Sequence, residues 1–202
     1  MKNLYVSFIL DETGSMESVK SQTISGFNEY ITTLGKDPKS KNICFTLTKF
    51  NSNKVDVVYD GENIEWVVPL DNKNYIPDAL TPLYDAIGIT IRSLEKKLKG
   101  ENQHALVVIQ TDGQENASKE YTRDSIFKLI YEKKKLGWTF AFLGADQDAY
   151  LASSTIGISA ANTISYSGAE TVNAFNRVAV GTQCFTASNG TKTDDFFEDS
   201  EG

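Results

Sequence analysis

Asp11, Thr13 and Ser15 stand at alternate positions just after the apolar run Tyr5-Val6-Ser7-Phe8-Ile9-Leu10. A carboxylate and two hydroxyls are oxygen ligands, and oxygen ligands suit a hard cation such as Mg2+. A short run of aromatic and branched residues reads as a buried strand, and Gly14 marks a tight turn. Beyond it Ile24, Phe27, Ile31 and Leu34 recur at helical spacing, so the three oxygens fall on a strand-to-helix turn. The alternative for the same residues is that Asp11 or Thr13 caps that helix.

A second group of polar residues has the same placement. Ala105 to Ile109 reads as an apolar strand that stops at Gln110-Thr111-Asp112-Gly113. Thr81-Pro82-Leu83 opens a long helix, with Pro82 at the first helical position and Thr81 as the cap before it. Its buried stripe is Leu83, Ile87, Ile91, Leu94 and Leu98, and Lys99-Gly100 ends it. Open parallel sheets bind ligands outside the carboxyl ends of their strands, where strand order reverses. Asp11, Thr13, Ser15, Thr81 and Asp112 are therefore expected as neighbours on one edge. Two carboxylates and three hydroxyls suit Mg2+ or Mn2+ better than zinc, which favours His or Cys. Glu115 and Asn116 read as solvated loop residues, with a place on the rim of the site as the alternative. Met16 and Tyr84 flank the motifs, and core packing and partner contact explain them equally. Asp146 and Asp148 read as caps of the next helix, and His104, which opens a strand, as a bystander.

The elements that must position these residues follow from the pattern. Ile43 to Phe50 and Lys54 to Tyr59 read as a hairpin around Asn51-Ser52-Asn53, so the second is an antiparallel edge strand. Ile64, Trp66, Val67 and Val68 offer a further short strand, and Asp71 to Asn74 is loop. Thr122 to Leu136 is an amphipathic helix ended by Gly137, and Trp138 to Leu143 is another buried strand. A short helix spans Asp148 to Ser154, a weak strand Thr163 to Tyr166, and a last helix Ala169 to about Cys184. Strands alternating with helices predict an α/β fold. It is Rossmann-like and doubly wound, with a mostly parallel sheet of about six strands, one antiparallel edge strand and helices on both faces.

In order along the chain, Asp11-x-Thr13-x-Ser15, then Thr81 in Leu-Thr-Pro-Leu-Tyr-Asp-Ala-Ile, then Thr111-Asp112-Gly113 resemble the metal-ion-dependent adhesion site of von Willebrand factor type A (vWA) domains. The resemblance runs from about residue 3 to 186. It is nearest to compact bacterial and phage members, including tellurite-resistance-associated ones, whose first motif reads Asp-x-[Ser/Thr]-Gly-Ser-Met. Thr13 stands where many members carry Ser, and the hydroxyl is kept. The resemblance implies that Thr13 and Ser15 bind the metal directly and Thr81 directly or through water. Asp11 and Asp112 would act mainly through bound water. Mg2+ is the implied ion, with Mn2+ or Ca2+ as alternatives. The implied partner is a protein that offers an Asp or Glu to the metal, another copy of this chain included.

Composition narrows the function further. The chain has 202 residues, 40% hydrophobic, with a formal net charge of -7. That length fits one domain, here placed at residues 1–188. An acidic tail at 189–202, with Asp194, Asp195, Glu198, Asp199 and Glu201, is expected to be solvated and partly disordered. The acidity argues against nucleic acid or an anionic membrane as partner. Cys44 and Cys184 lack metal-ligand spacing and read as buried thiols of a reducing compartment. No signal peptide or membrane-spanning run is read, so the expected location is the cytoplasm, or a virion for a phage product.

No enzyme is expected. Phosphatases of the haloacid-dehalogenase type also begin with Asp at a strand end. They resemble Asp-x-Asp-x-Thr, however, and Thr13 replaces the second acid and so removes the general acid/base. No G-x-G-x-x-G or Walker pattern occurs, and His104 lies at the wrong end of its strand for a Ser-His-Asp arrangement. The expected function is a metal-dependent protein-binding module. The alternative is a structural or assembly component, of a phage particle or a bacterial stress or defence complex, that makes no use of the metal.

Overall fold

Apolar runs bounded by turn residues become the strands of a single sheet. The computed structural model describes residues 4–98, 104–145, 148–191 and 195–197. In chain order the elements are β1 (Leu4–Asp11), α1 (Lys20–Lys36), β2 (Ile43–Asn51), β3 (Lys54–Asn63), α2 (Leu83–Lys97), β4 (Ala105–Thr111), α3 (Arg123–Lys135), β5 (Thr139–Ala145), α4 (Ala149–Thr155), β6 (Thr163–Tyr166) and α5 (Thr171–Ala187). The spatial order is β3-β2-β1-β4-β5-β6. Every pairing is parallel except β2 with β3.

Strand alternation sends the two faces of the sheet into two cores. Val6, Phe8 and Leu10 of β1 meet Phe27, Tyr30 and Leu34 of α1 and Phe175 and Val178 of α5. Ile9 with Val107 and Ile109 of β4 meets Ile87 and Ile91 of α2 and Ile126 and Ile130 of α3. Helices thus cover both faces, which a parallel sheet needs because both of its faces are apolar. Gly26 lets α1 approach α5: a Cβ there would lie 2.7 Å from the Phe175 ring. The antiparallel edge strand β3 is long, and two register shifts against β2 disrupt its ladder, a device that discourages edge-to-edge pairing.

The chain runs from β1 outward through β2 and β3, then returns to add β4 on the other side of β1. Strand order therefore reverses between β1 and β4, and Asp11 and Thr111 close those two strands.

Three local expectations differ from the fold. Ile64–Trp66 forms a 3-10 turn instead of a strand, begun by Asn63, whose side chain accepts from Glu65 N. Such a local side-chain bond competes with a sheet ladder. Cys44 and Cys184 are half-buried free thiols, not fully buried ones. Phe196 and Phe197, past the boundary drawn at 188, are buried in the first core, and Phe196 N donates to Asn162 Oδ1 at 2.9 Å. Within the expected acidic tail, Asp194, Glu198, Asp199 and Glu201 lie outside the described residues, as do Asp146 and the Lys99-Gly100 stop. Among the described residues no helix is long and apolar enough to cross a membrane.

Candidate functional site

The end of β1 delivers Asp11 fully buried, and its carboxylate is tied down from two sides. Oδ1 accepts from Thr13 N at 2.8 Å, and Oδ2 accepts from Thr111 Oγ1 at 2.5 Å. The first bond folds the chain tightly, so that Thr13 follows the strand and a 3-10 turn over Gly14–Val19 precedes α1. Neither Asp11 nor Thr13 caps α1: that helix begins only at Lys20, and Thr13 makes no side-chain capping bond to the 3-10 turn. The hydroxyls are left for other use. Thr13 Oγ1 and Ser15 Oγ lie 3.2 Å apart, and Ser15 Oγ donates to Asp112 Oδ1 at 2.6 Å.

Thr81 reaches the same place from α2. A Cβ built on Gly113 would lie 3.0 Å from Thr81 Oγ1 and 3.6 Å from Ser15 Oγ, so the bare face of this glycine is the floor between the two hydroxyls. Thr81 is not the helix cap expected of it. The helix starts at Leu83 with Pro82 in the cap position, and its first N–H groups are satisfied by distant residues. Tyr84 N donates to Glu115 Oε2 at 2.9 Å and Asp85 N to Ser118 Oγ at 3.0 Å.

All five residues singled out by sequence therefore converge at the switch point of the sheet. Asp11, Thr13 and Thr81 are buried, Asp112 is half-buried and Ser15 is exposed. Burial pushes the Asp11 carboxyl up to about 6, against the pull of its bonds from Thr111 and Thr13, and the charge of Asp112 adds to the rise. The neighbouring charge that acts on this buried acid is thus a second acid. Among the described residues no three His, Cys, Asp or Glu side chains gather into a metal-binding group. A cation held here would have to rest on hydroxyl oxygens beside the two carboxylates. That donor set fits Mg2+, Mn2+ or Ca2+ and not zinc.

The architecture has close counterparts among solved structures. The vWF domain of the type V pili tip protein Mfa5 from Porphyromonas gingivalis superposes with a TM-score of 0.67 at 11% identity, over 90% of this chain and 95% of that one. The SpRpn10 VWA domain gives 0.53 at 12% identity, over 86% and 95%. This chain has the von Willebrand factor type A fold. The pilus adhesin SpaC from Lactobacillus rhamnosus GG, in its open conformation, gives 0.62 at 14% identity, over 94% of this chain but 30% of that one. No protein-family model and no curated protein matches the sequence. The likeness at these identities is one of fold, and what the vWA fold carries on its upper edge has to be read from this chain's own residues.

Several of those residues escaped the sequence pattern. Asn116, read as a loop residue, clasps Thr81: its Oδ1 accepts from Thr81 N at 2.8 Å, and its N donates to Thr81 O at 3.1 Å. Besides Tyr84 N, the Glu115 carboxylate accepts from Ala117 N, Ser118 N and Ser118 Oγ at 2.7–2.9 Å. Asp85 accepts from the backbone of Lys119, Glu120 and Tyr121 at 2.8–2.9 Å. The β4–α3 loop is thereby sewn to the start of α2. Met16 is a core side chain beside Gln110. Asp148 does cap α4, accepting from Leu151 N at 3.0 Å. His104 stays away from the site and bonds Gly137 O at 3.2 Å.

On the other side of the first motif, Glu12 forms a buried ion pair with Lys49 at 2.8 Å. It also accepts from Ile76 N at 2.9 Å, while Tyr75 donates its hydroxyl to Asp11 O at 2.6 Å. Gly14 N donates to Ala79 O at 3.0 Å. The segment before α2 is strapped to the first motif by these bonds, and the strap sets where Thr81 begins. One signal was available: a lysine at position 49 in an otherwise apolar and Thr-rich strand is rarely buried without a partner.

Proposed function

We propose that this vWA-fold chain is a non-catalytic protein-binding module that uses a divalent cation, Mg2+ in the first place, to capture an acidic side chain of a partner. The observation that carries this reading is the convergence of three hydroxyls and two carboxylates at the β1–β4 switch point. The helix-capping duty that would have claimed the Thr81 hydroxyl is handed to Glu115 and Ser118. Thr13, Ser15 and Thr81 would hold the ion, while Asp11 and Asp112 would balance its charge and orient the hydroxyls. A bound cation supplies a positive charge at the mouth of the site, where a partner carboxylate outweighs a neutral carbonyl as its ligand.

The chain's own residues do the positioning. Thr111 and Thr13 fix the Asp11 carboxylate, Ser15 is oriented by Asp112, and Asn116 fixes the backbone of Thr81. The position two residues after Asp11, where phosphatases of the haloacid-dehalogenase type carry a second acid, is Thr13, and His104 lies away from the site. A pilus adhesin and a pili tip protein among the structural counterparts favour a binding role over a catalytic one. The two thiols, free and half-buried, fit a reducing compartment.

The test is stability against metal. A ligand at about a hundred times its dissociation constant adds about 2.7 kcal/mol to the folded state. Mg2+ or Mn2+ should therefore raise the melting temperature, and Asp112→Ala should abolish the rise. Pull-down from the host with and without EDTA then separates the two functional readings. Recovery of a partner only when metal is present supports capture through the ion. A partner that survives chelation assigns the chain to a scaffold role instead.

A further inference from the structure

A pocket of about 270 Å3 opens directly beside the candidate metal centre. Two of its walls are the residues that follow the ligands: Leu83 and Tyr84 after Thr81, and Gly113 and Gln114 after Asp112. Gly113 borders both spaces, because its bare face meets the Thr81 and Ser15 hydroxyls. The opposite wall is α4 with the residue after it, which contributes Leu151, Ala152 and Ile156.

We propose that this pocket receives a large apolar side chain of the partner, one or two residues from the acid offered to the metal. The proposal rests on the metal-capture reading and deepens it by naming the sequence the site would select. Three observations favour this occupant. The surface is apolar where it faces a ligand: Ile156 is buried at the base, and Leu151 is 62% exposed at the mouth. Its acids are already engaged, Glu115 by three backbone N–H groups and a hydroxyl, Asp148 by Leu151 N, so neither calls for a basic side chain. The volume lies just under the roughly 300 Å3 at which sites for drug-sized ligands begin, which suits one side chain better than a free small molecule. The walls are also held in place, since Glu115 and Asp85 tie the β4–α3 loop to α2. A preformed pocket keeps the ordering cost of binding low. An anchor residue in a desolvated pocket beside a charged contact is the usual form of a binding hot spot.

A random heptapeptide library displayed on phage, panned on the full chain in Mg2+ and in EDTA, tests the proposal. The expected result is peptides recovered only in Mg2+ that carry an acid and, at a constant offset, Leu, Met, Phe or Tyr. In Leu151→Arg, a change at an exposed position that spares the fold, the acid should persist and the apolar preference should vanish. A selected peptide should then bind about tenfold or more weakly, with the Mg2+-induced thermal shift retained. Ala152→Trp, which fills the pocket, should act in the same way. Acid enrichment with no apolar preference would overturn this inference and leave metal capture standing. Apolar enrichment that is indifferent to EDTA and to the acid would refute metal capture, and with it the pairing proposed here. Recovery of no peptide in any arm overturns the pocket proposal, while the Mg2+ thermal shift alone still reports on the metal.

Discussion

Asp11 and Glu12 are consecutive acids at the end of one strand, both almost fully buried, and the fold treats them in opposite ways. Glu12 points toward β2 and meets Lys49 at 2.8 Å, so its charge is answered from within the protein. Asp11 points toward β4 and meets two donors from Thr111 and Thr13, and the charge that acts on it belongs to Asp112. One side of the strand end is closed by an ion pair; on the other, the charge of Asp112 raises the buried Asp11 carboxyl beside three hydroxyls. A buried charge is tolerated when it is paired or binds a metal. The contrast between the two neighbours is therefore the strongest physical argument for a cation at the Asp11 side.

The largest effect expected from breaking this contrast comes from Lys49→Met. It strips the counter-charge from a buried carboxylate and should cost about 3–5 kcal/mol in urea unfolding, with or without Mg2+. Asp11→Asn should behave differently. The amide keeps an acceptor for Thr13 N and removes an anion that faces a second acid. Metal-free stability should then stay level or rise, while the Mg2+ increment of about 2.7 kcal/mol disappears. If Asp11→Asn proved as damaging as Lys49→Met in EDTA, the two acids would be equivalent structural groups.

A smaller effect is expected at Asn116, which touches the site only through the backbone of Thr81. Asn116→Ala removes the acceptor for Thr81 N and leaves only the backbone bond to Thr81 O between the two residues. Supporting residues of this kind typically change metal affinity by about 10–100-fold. Mn2+ titration by calorimetry should show a drop near the lower end of that range. An unchanged affinity would mean that the remaining bonds to the start of α2, with the Glu12–Lys49 strap, hold Thr81 in place without it.

How far these residues could be read from sequence follows from the range of their interactions. β1 and β4 were legible because an apolar run that stops on an acid is a local pattern, and so were the hydroxyls two residues apart. The hairpin turn and the capping of α4 by Asp148 are local as well. Thr81 lies beside Gly113 as its spacing implied but does not cap α2, because the groups that cap the helix lie more than thirty residues away, at Glu115 and Ser118. Local spacing cannot announce a cap supplied through tertiary structure. Glu12 was passed over for the same reason: its partner is on the adjacent strand, where Lys49 pairs in register with Leu10. The expected strand near Val67 failed because Asn63 offered the backbone a local bond that no hydrophobicity pattern encodes. Phe196 and Phe197 were hidden by the acids around them, whose composition spoke for a solvated tail.

The smallest expected effect sets a surface acid beside the buried pair. Glu95 on α2 accepts from Arg92 at 2.8 Å and pairs with Lys133 of α3. Burial alone would raise its carboxyl, but the bonds from Lys133 and Arg92 outweigh that and hold it below its ordinary value of 4.5. The sign of the pH effect follows. A carboxyl depressed in the folded state binds its proton more readily when unfolded, so its stabilisation is complete above the unfolded value. It is lost as pH falls through the lower, folded one. Exposure to solvent limits its size to under about 1 kcal/mol, against several for the Glu12–Lys49 pair. Urea unfolding of wild type and Glu95→Gln should differ at pH 7 and converge as the pH falls through the depressed folded value of Glu95, where the wild-type carboxyl is neutralised as well. A difference that persisted unchanged at the acid end would show that Glu95 joins α2 to α3 by packing, and that charge contributes at the buried pair alone.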